Sequence, residues 1–513
     1  MKRVFALLML FLFLLSLTGC SNWEEPQEDD FFQIMSNYYN KSEEEDEAPA
    51  LTSFSLPYLD GETADPYTCL DGAQRTLGGL LYESLYVLDP AFVPQPSLAQ
   101  SYVCSADGRT YTITLHRGVY FSDGTEMTAR DVVYSLKQAR SSQRYGARLA
   151  EVSSISGSEY TVTVTLRQTN TSFLARLDVP IVKNGTAGRT WPTGTGPYRY
   201  VSDDTGEHLA LNSRWWQDHT LPLARIELVR CKDSDIMSYA FYTREIQLLL
   251  CDLTATDAPS VSGSGAYTDA ATTTLQFIGI NTARSHLSDP ALRAALNLGI
   301  DRQGCINAFL LGHGLAAQFP VSPASALYPQ ALETPYSPDH FDTAMAQAGY
   351  SSGGTVRLTM LVNKENSFKV DAARRIAEDL SRHDLQITVK ALPWEQYLLA
   401  LQNGNYDLYY GECRLTADWD LRSLIGTGGS LNYSGYTNTD TDALMSAYLR
   451  ADDAGREAAM LELCRHLSEQ APILPVCFKS VSMLLPSGAV ENAIPTAANP
   501  FYNLAQWKID IAE

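Results

Sequence analysis

The chain lacks most of the devices on which metalloproteins and catalysts depend. Its eight histidines are scattered, with no H-E-x-x-H and no close pair, and its nine cysteines include no C-x-x-C. The spacing that metal ligation requires is therefore missing, and neither a metal nor another cofactor is implied. Positive charge is also scarce: 38 Lys and Arg stand against 59 Asp and Glu, for a formal net charge of -21. That balance argues against nucleic acid and against a broad footprint on anionic lipid. No phosphate-cradling P-loop and no S-x-x-K occurs. Gly349-Tyr350-Ser351-Ser352-Gly353 satisfies G-x-S-x-G, but it follows a predicted helix and precedes a predicted strand. A nucleophile elbow needs the reverse order, so this segment reads as a glycine-rich loop, and a secreted hydrolase is the remote alternative to a protein that is not an enzyme. Beyond residue 20 no apolar run approaches the roughly 20 residues of a membrane span.

What is present begins with an export signal. Lys2 and Arg3 precede an unbroken apolar run, Val4 to Leu15, and Leu17-Thr18-Gly19-Cys20 follows. Charge, a short apolar stretch and small residues in that order form a secretory signal. The ending resembles the lipobox of bacterial lipoproteins, which implies that Cys20 becomes a lipid-attachment site and the mature N-terminus. Two or three acyl chains anchor stably where one is marginal. From Glu24 to Glu47, ten acidic residues face Lys41 alone. Such a run repels itself and extends, and it reads as a weakly ordered tether despite Phe31, Phe32, Tyr38 and Tyr39. Without leader and tether the body carries a charge of about -14.

That body, about 460 residues, exceeds the size at which single cores stop growing, so at least two lobes are expected. Tyr111, Ile113 and Leu115 alternate with polar residues, as do Tyr160, Val162, Val164 and Leu166, which predicts half-buried strands. Between them lies an Asp123-Gly124 turn. Thr128 then stands three before Asp131, predicting a capped helix with Val132, Val133 and Leu136 on its apolar face. Farther on, Asp289-Pro290 opens a helix. Strands over Val356–Val362, Ile387–Leu392 and Tyr406–Gly411 alternate with helices over Phe368–His383 and Trp394–Leu401. That alternation predicts a second α/β lobe with a largely parallel sheet. Eight cysteines besides Cys20 are expected to be mostly buried free thiols.

Several segments, in order, resemble the bacterial extracellular solute-binding proteins of family 5, the oligopeptide, dipeptide and nickel class. They are Leu98–Tyr102, Asp107–Thr112, Phe121–Thr125 and Thr128–Leu136, then Gly194-Thr195-Gly196-Pro197-Tyr198 and Asn212–Trp216. Phe277–Thr282, Asp289–Leu298, Ile300–Arg302, Ala372–Leu380, Trp394–Tyr397 and Asn405–Gly411 continue the match to about residue 480. The resemblance implies an α/β, periplasmic-binding-protein-like two-lobed fold (type II, cluster C), with an extra domain in lobe 1 and a hinge of two crossing segments near Leu275–Ile280 and Cys477–Ser482. The expected division is a lipoprotein signal at 1–19 and the tether at 20–49. Lobe 1 comprises 50–69, 180–276 and 478–513, the extra domain 70–179, and lobe 2 277–477.

The same resemblance implies an ABC importer's substrate-binding lipoprotein, a monomer lipid-anchored on the extracytoplasmic face of the cell membrane. It would deliver short peptides to permease and ATPase subunits. Nickel-chelate, haem or another small solute is the alternative cargo, and a peptide-sensing receptor the alternative role. Thr416-Ala417-Asp418-Trp419-Asp420 resembles the family segment in which an aspartate before an aromatic meets the cargo's amino group, so Asp418 and Trp419 are candidate contacts. The pattern departs here: Leu421 replaces a proline, and the stretch from Asp407 to Asp418 is about two residues longer, which makes Asp420 a rival. Trp394 falls where the family often sets a tryptophan on its cargo. Glu412, Cys413 and Arg414 share the strand exit leading to Asp418, and Arg414 suits a carboxylate. Tyr145 and the Cys69–Gly72 loop, with Asp71, are cleft candidates by family placement.

Overall fold

In a computed structural model, residue 51 and residues 53–255, 258, 265–350, 355–382 and 384–511 are described. The expected signal, tether and Cys20, and most of the G-x-S-x-G loop, lie outside them. The alternating segment at Tyr111 is strand Thr110–Leu115, flanked by Ala99–Cys104 and Thr161–Leu166, with Val152–Ser158 at the far edge. This four-stranded sheet is antiparallel throughout. Its apolar face, Tyr111, Ile113, Leu115, Val162, Val164 and Leu166, is fully buried. Helix Ala129–Ser141 covers that sheet, and the Thr128 backbone N–H donates to the Asp131 carboxylate at 2.9 Å, closing the expected capping box. Strand Val152–Ser158 was not legible: a register shift after Val152 breaks the alternation, and only Val152 and Ile155 are buried.

A second sheet in the same core has Ser55–Leu59 parallel to Arg225–Cys231, followed by Gly206–Leu211 and Tyr198–Asp203. Two family landmarks meet beside it. The Asn212 side-chain amide donates to the Gly196 carbonyl at 2.9 Å. The indole N–H groups of Trp215 and Trp216, at 3.2 and 2.9 Å, and the Gln217 amide, at 3.0 Å, converge on the Glu83 carboxylate. Burial raises the Glu83 pKa in spite of these donors. Gly194 and Gly196 pack on the end of helix Gly72–Leu81, where a Cβ on Gly196 would stand 2.5 Å from the Leu80 carbonyl oxygen. The glycines are there for close backbone approach.

The largest sheet orders Leu249–Cys251, Ile473–Pro486, Gly265–Ile280, Leu408–Arg414, Val356–Asn363 and Leu385–Leu392, with Gly314–Ala316 also on Ile473–Pro486. In this sheet only the two pairings of Val356–Asn363, with Leu385–Leu392 and with Leu408–Arg414, are parallel; every other pairing in it among the described residues is antiparallel. The sheet is therefore mixed rather than largely parallel, because two long strands run against each other through its centre. Period two places Ile278, Ile280, Leu408 and Tyr410 in one core, beneath Leu292, Phe341 and Ile376 of the covering helices. It places Leu275, Phe277 and Tyr409 in a core on the other face with Trp419, Leu449 and Leu463. Strand Ile473–Pro486 leaves these cores and inserts Met483 and Leu485 into the core of the first lobe. Its partner Gly265–Ile280 follows it, with register shifts at Ala271/Leu275 and Gln276/Phe277. The fold is a two-lobed α/β architecture crossed by two strands.

Among the described residues all eight cysteines are free, five of them buried, and no helix is long and apolar enough to cross a membrane. Gly196→Ala is expected to destabilise the protein by about 1–3 kcal/mol, since its Cβ meets backbone that cannot step aside. Urea unfolding of the variant, at an unchanged m-value, measures this.

Candidate functional site

A cleft of about 1350 Å³ opens between the lobes. One wall is the Cys69–Gly72 loop with the start of helix Gly72–Leu81 and the Arg144–Arg148 segment; the other is the strand exit Arg414–Ala417. The floor is hinge backbone at Ala271–Thr274 and Lys479–Val481. Arg414 is held there by register, paired with Thr274 on the long strand, while the next N–H, of Leu415, donates to the Thr273 carbonyl at 2.9 Å.

Of the residues singled out above, Asp71, Tyr145 and Arg414 line this cleft. Asp71 caps helix Gly72–Leu81, accepting from the Gln74 N–H at 2.9 Å. Tyr145 is 3% exposed, with the guanidinium groups of Arg144 and Arg148 over its ring at 5.0 and 5.5 Å. Burial raises its pKa against the pull of both arginines. Glu412, Cys413, Asp418, Trp419, Asp420 and Trp394 are not in the cleft lining. Glu412 accepts from Gln276 at 2.9 Å and pairs with Lys369 at 3.2 Å. Burial, then the charge of Glu412, pushes the Cys413 thiol up to about 12, so it stays protonated at neutral pH. Trp394 is 53% exposed and stacks on Tyr397.

Trp419 is 1% exposed and takes φ +52°, a left-handed conformation that a bulky residue adopts at some cost. Its ring lies edge-on to Phe92 and Phe478, and its indole N–H donates to Ser325 at 3.2 Å. That turn drives Asp418 the opposite way, across the lobe boundary. The Asp418 carboxylate, wholly inaccessible, accepts from Arg176 Nε at 2.6 Å and from the Asn170 amide at 2.7 Å, both on Oδ2. Arg176 also reaches Asp420 at 2.8 Å; Asp420 binds Arg422 at 2.7 Å; Arg422 reaches Glu151 and Gln168. Arg176, Asn170, Glu151 and Gln168 come from the segment 151–176, the other three from 418–422. The network thus bolts one lobe to the other. Burial lowers the Arg176 pKa, but Asp418 and Asp420 more than restore it, leaving it above its ordinary value. Burial also opposes ionisation of Asp420, yet the hydrogen bond from Arg422 and the charges of Arg176 and Arg422 hold it well below the usual carboxylate range.

Sequence reasoning did not single out Arg176, Asn170, Arg75 or Arg144. Arg176 carried a usable signal, since it stands inside Phe173-Leu174-Ala175-Arg176-Leu177, where a cation must find a buried acid. Arg144 and Arg148, flanking Tyr145, carried only their spacing. No group of three or more potential metal-ligating side chains exists among the described residues.

Two lobes, two crossing strands and a cleft between them define an extracytoplasmic solute-binding architecture. The chain belongs to the bacterial extracellular solute-binding proteins, family 5, whose model matches residues 93–426. It is 24% identical over 443 residues to the glutathione-binding protein GsiB of Salmonella choleraesuis, covering 81% of this chain and 86% of that one. Among solved structures it resembles the oligopeptide-binding protein AppA of Bacillus subtilis in complex with a nonapeptide, with TM-score 0.61, 20% identity, and coverage of 90% of this chain and 99% of that one. It also resembles a nickel ABC transporter protein of Bacillus halodurans, with TM-score 0.73, 19% identity, and coverage of 87% and 98%.

Replacing one member of a buried ion pair strands the other. Asp418→Ala is expected to cost about 3–5 kcal/mol, and the added Arg176→Met substitution to recover part of it, as a double-mutant cycle in urea will show. Because the Asp420 pKa is depressed on folding, its stabilising contribution is complete above the unfolded value of about 3.9 and disappears as pH falls toward about 2. The stability advantage of the native chain over Asp420→Asn should therefore be full at pH 6 and shrink below pH 4.

Proposed function

We propose that this chain is the capture subunit of an ABC importer, binding short peptides between its lobes and releasing them unaltered to a permease powered by a separate ATPase. The observation that carries this reading is the cleft itself. At about 1350 Å³ it is larger than the roughly 300–1000 Å³ of a pocket for a single small molecule, and both lobes and the hinge wall it. A solute touching both walls stabilises the closed arrangement by its differential affinity. Asp71, Tyr145 and Arg414 are the proposed contacts from the family resemblance, joined by Arg75 and Arg144. The backbone that follows strand Leu408–Arg414, at Leu415–Ala417, also lines the cleft, and main-chain pairing with a peptide there would be indifferent to side-chain identity. Asp418, Trp419 and Asp420 serve lobe closure, and Trp394, Cys413 and Glu412 support the strand that carries Arg414. The names of the glutathione-binding and oligopeptide-binding relatives agree with peptide cargo. In this reading the protein is a monomer, processed at Cys20, lipidated there, and held outside the cell membrane by the acidic tether.

Native mass spectrometry of protein purified from cells tests the cargo: short peptides of mixed mass should leave on denaturation, whereas an empty cleft or products of cleavage would end the proposal. Cys20→Ala should move the protein from the membrane to the soluble extracytoplasmic fraction, as read by fractionation and immunoblotting.

A further inference from the structure

The charged residues of the cleft do not cancel one another where they stand. Arg75, Arg144 and Arg414 line it together, and none has a carboxylate within ion-pair distance among the described residues. Arg75 Nε donates to the Asp71 backbone carbonyl at 3.0 Å and Arg144 to that of Pro66 at 3.4 Å, which orients both guanidinium groups and leaves most of their N–H donors without a partner among the described residues. Arg414 projects into the cleft with no side-chain hydrogen bond among the described residues. Burial lowers its pKa, and the charges of Arg75, Arg144 and Arg148 lower it further, so these groups share one field.

The acids of the same cleft are committed elsewhere. Asp178 is paired with Arg148 and Asp252 with Lys479. Asp71 and Asp233 cap helices, Asp89 accepts the N–H groups of Ala91 and Val93, and Glu83 is enclosed by Trp215, Trp216 and Gln217. Asp418, the acid that the family resemblance would offer to an ammonium group, already holds an internal cation, Arg176. A hydrogen bond from a backbone N–H leaves a carboxylate's charge in place, so what sets Arg75, Arg144 and Arg414 apart is that no carboxylate among the described residues pairs with them, in a body of about -14 overall.

We infer that the cargo is an anion bearing at least two carboxylates, gripped by Arg75 and Arg144 from one lobe and by Arg414 from the other, and that its amino group is not read by Asp418. Guanidinium suits this task because its planar fork meets a carboxylate with two parallel bonds. Three like charges facing a water-filled gap repel one another, so the empty cleft resists closing and an anionic solute removes the resistance. The inference builds on the reading of the protein as a capture subunit, and it names the chemistry that capture selects.

The test uses the full chain in detergent, stripped of bound solute, with a mixture of acidic and neutral tripeptides matched in length, each also supplied N-acetylated. Retained peptides are counted by mass spectrometry. Acidic peptides should be enriched at least about tenfold over neutral ones, N-acetylation should leave the enrichment in place, and rising salt should erode it. Arg414→Gln and Arg144→Gln should each weaken acidic peptides by about tenfold or more, while Arg382→Gln on the outer surface changes nothing. Solute-free Arg414→Gln should also melt no lower than the native chain, because it removes a repelled cation rather than a support. Equal retention of acidic and neutral peptides, or arginine variants that bind as the native chain does, would overturn the inference and leave peptide capture standing. If no peptide of either kind is retained, peptide capture fails, and titration with citrate decides the present point. Citrate binding that Arg414→Gln abolishes upholds it, and no binding overturns it.

Discussion

The buried pairing of Arg176 with Asp418 is the constraint around which the rest of this molecule is arranged. Two charges removed from water are tolerable only when each meets the other with good geometry and neighbouring donors complete the shell. Here Asn170 donates to the same Asp418 oxygen and Asp420 accepts from Arg176, while the other Asp418 oxygen has no partner among the described residues, and the pair lies between segments about 240 residues apart in the chain. Such a contact adds little to the stability of either lobe alone. Its effect is on how the lobes meet: with the guanidinium on Asp418, the strand exit Arg414–Ala417 is set opposite the Cys69–Gly72 loop, and the cleft acquires its second wall. The turn that makes this possible is fixed by Trp419, whose burial among Phe92, Phe478 and Ser325 compensates for a backbone conformation bulky residues avoid.

The same economy of charge shapes the cleft. Arg148 and Lys479 are neutralised by Asp178 and Asp252, and Arg176 by Asp418 and Asp420, so the three cleft arginines without a carboxylate partner among the described residues stand out against a protein that is otherwise strongly acidic. Unpaired cations gathered on opposite walls cost stability in the empty protein. They also provide a reason for a two-lobed molecule to wait for its solute before it closes, which is the physical requirement of a capture device.

Much of the architecture was legible in the sequence because it rests on local rules. The alternation at Tyr111, Ile113 and Leu115, the capping box at Thr128 and Asp131, and the Asp289-Pro290 helix start all act within a few residues, and all are present. Sheet direction was not legible. The strands Val356–Asn363 and Leu385–Leu392 are parallel as expected, but the central strands belong to long crossings whose partners lie some 200 residues away, and no local pattern states which way a returning chain runs. Of the candidate contacts, Asp71, Tyr145 and Arg414 lie on the cleft lining. Asp418 was read as facing the cleft, and its local sequence contains nothing about Arg176, whose apolar surroundings on a distant segment were the one available hint. Six of the nine cargo candidates lie off the cleft lining, where contacts with distant segments, such as Lys369 on Glu412 and Arg176 on Asp418, hold them, and no local pattern announces those partners.

The most direct test of the central idea, that two lobes shut over a solute and reopen without changing it, is small-angle scattering of the protein stripped of cargo and then titrated with an acidic tripeptide. The account predicts a fall in the radius of gyration that saturates with the peptide, reverses on dilution and returns the peptide intact. A radius that does not move while the peptide binds, or a peptide recovered in pieces, would contradict it.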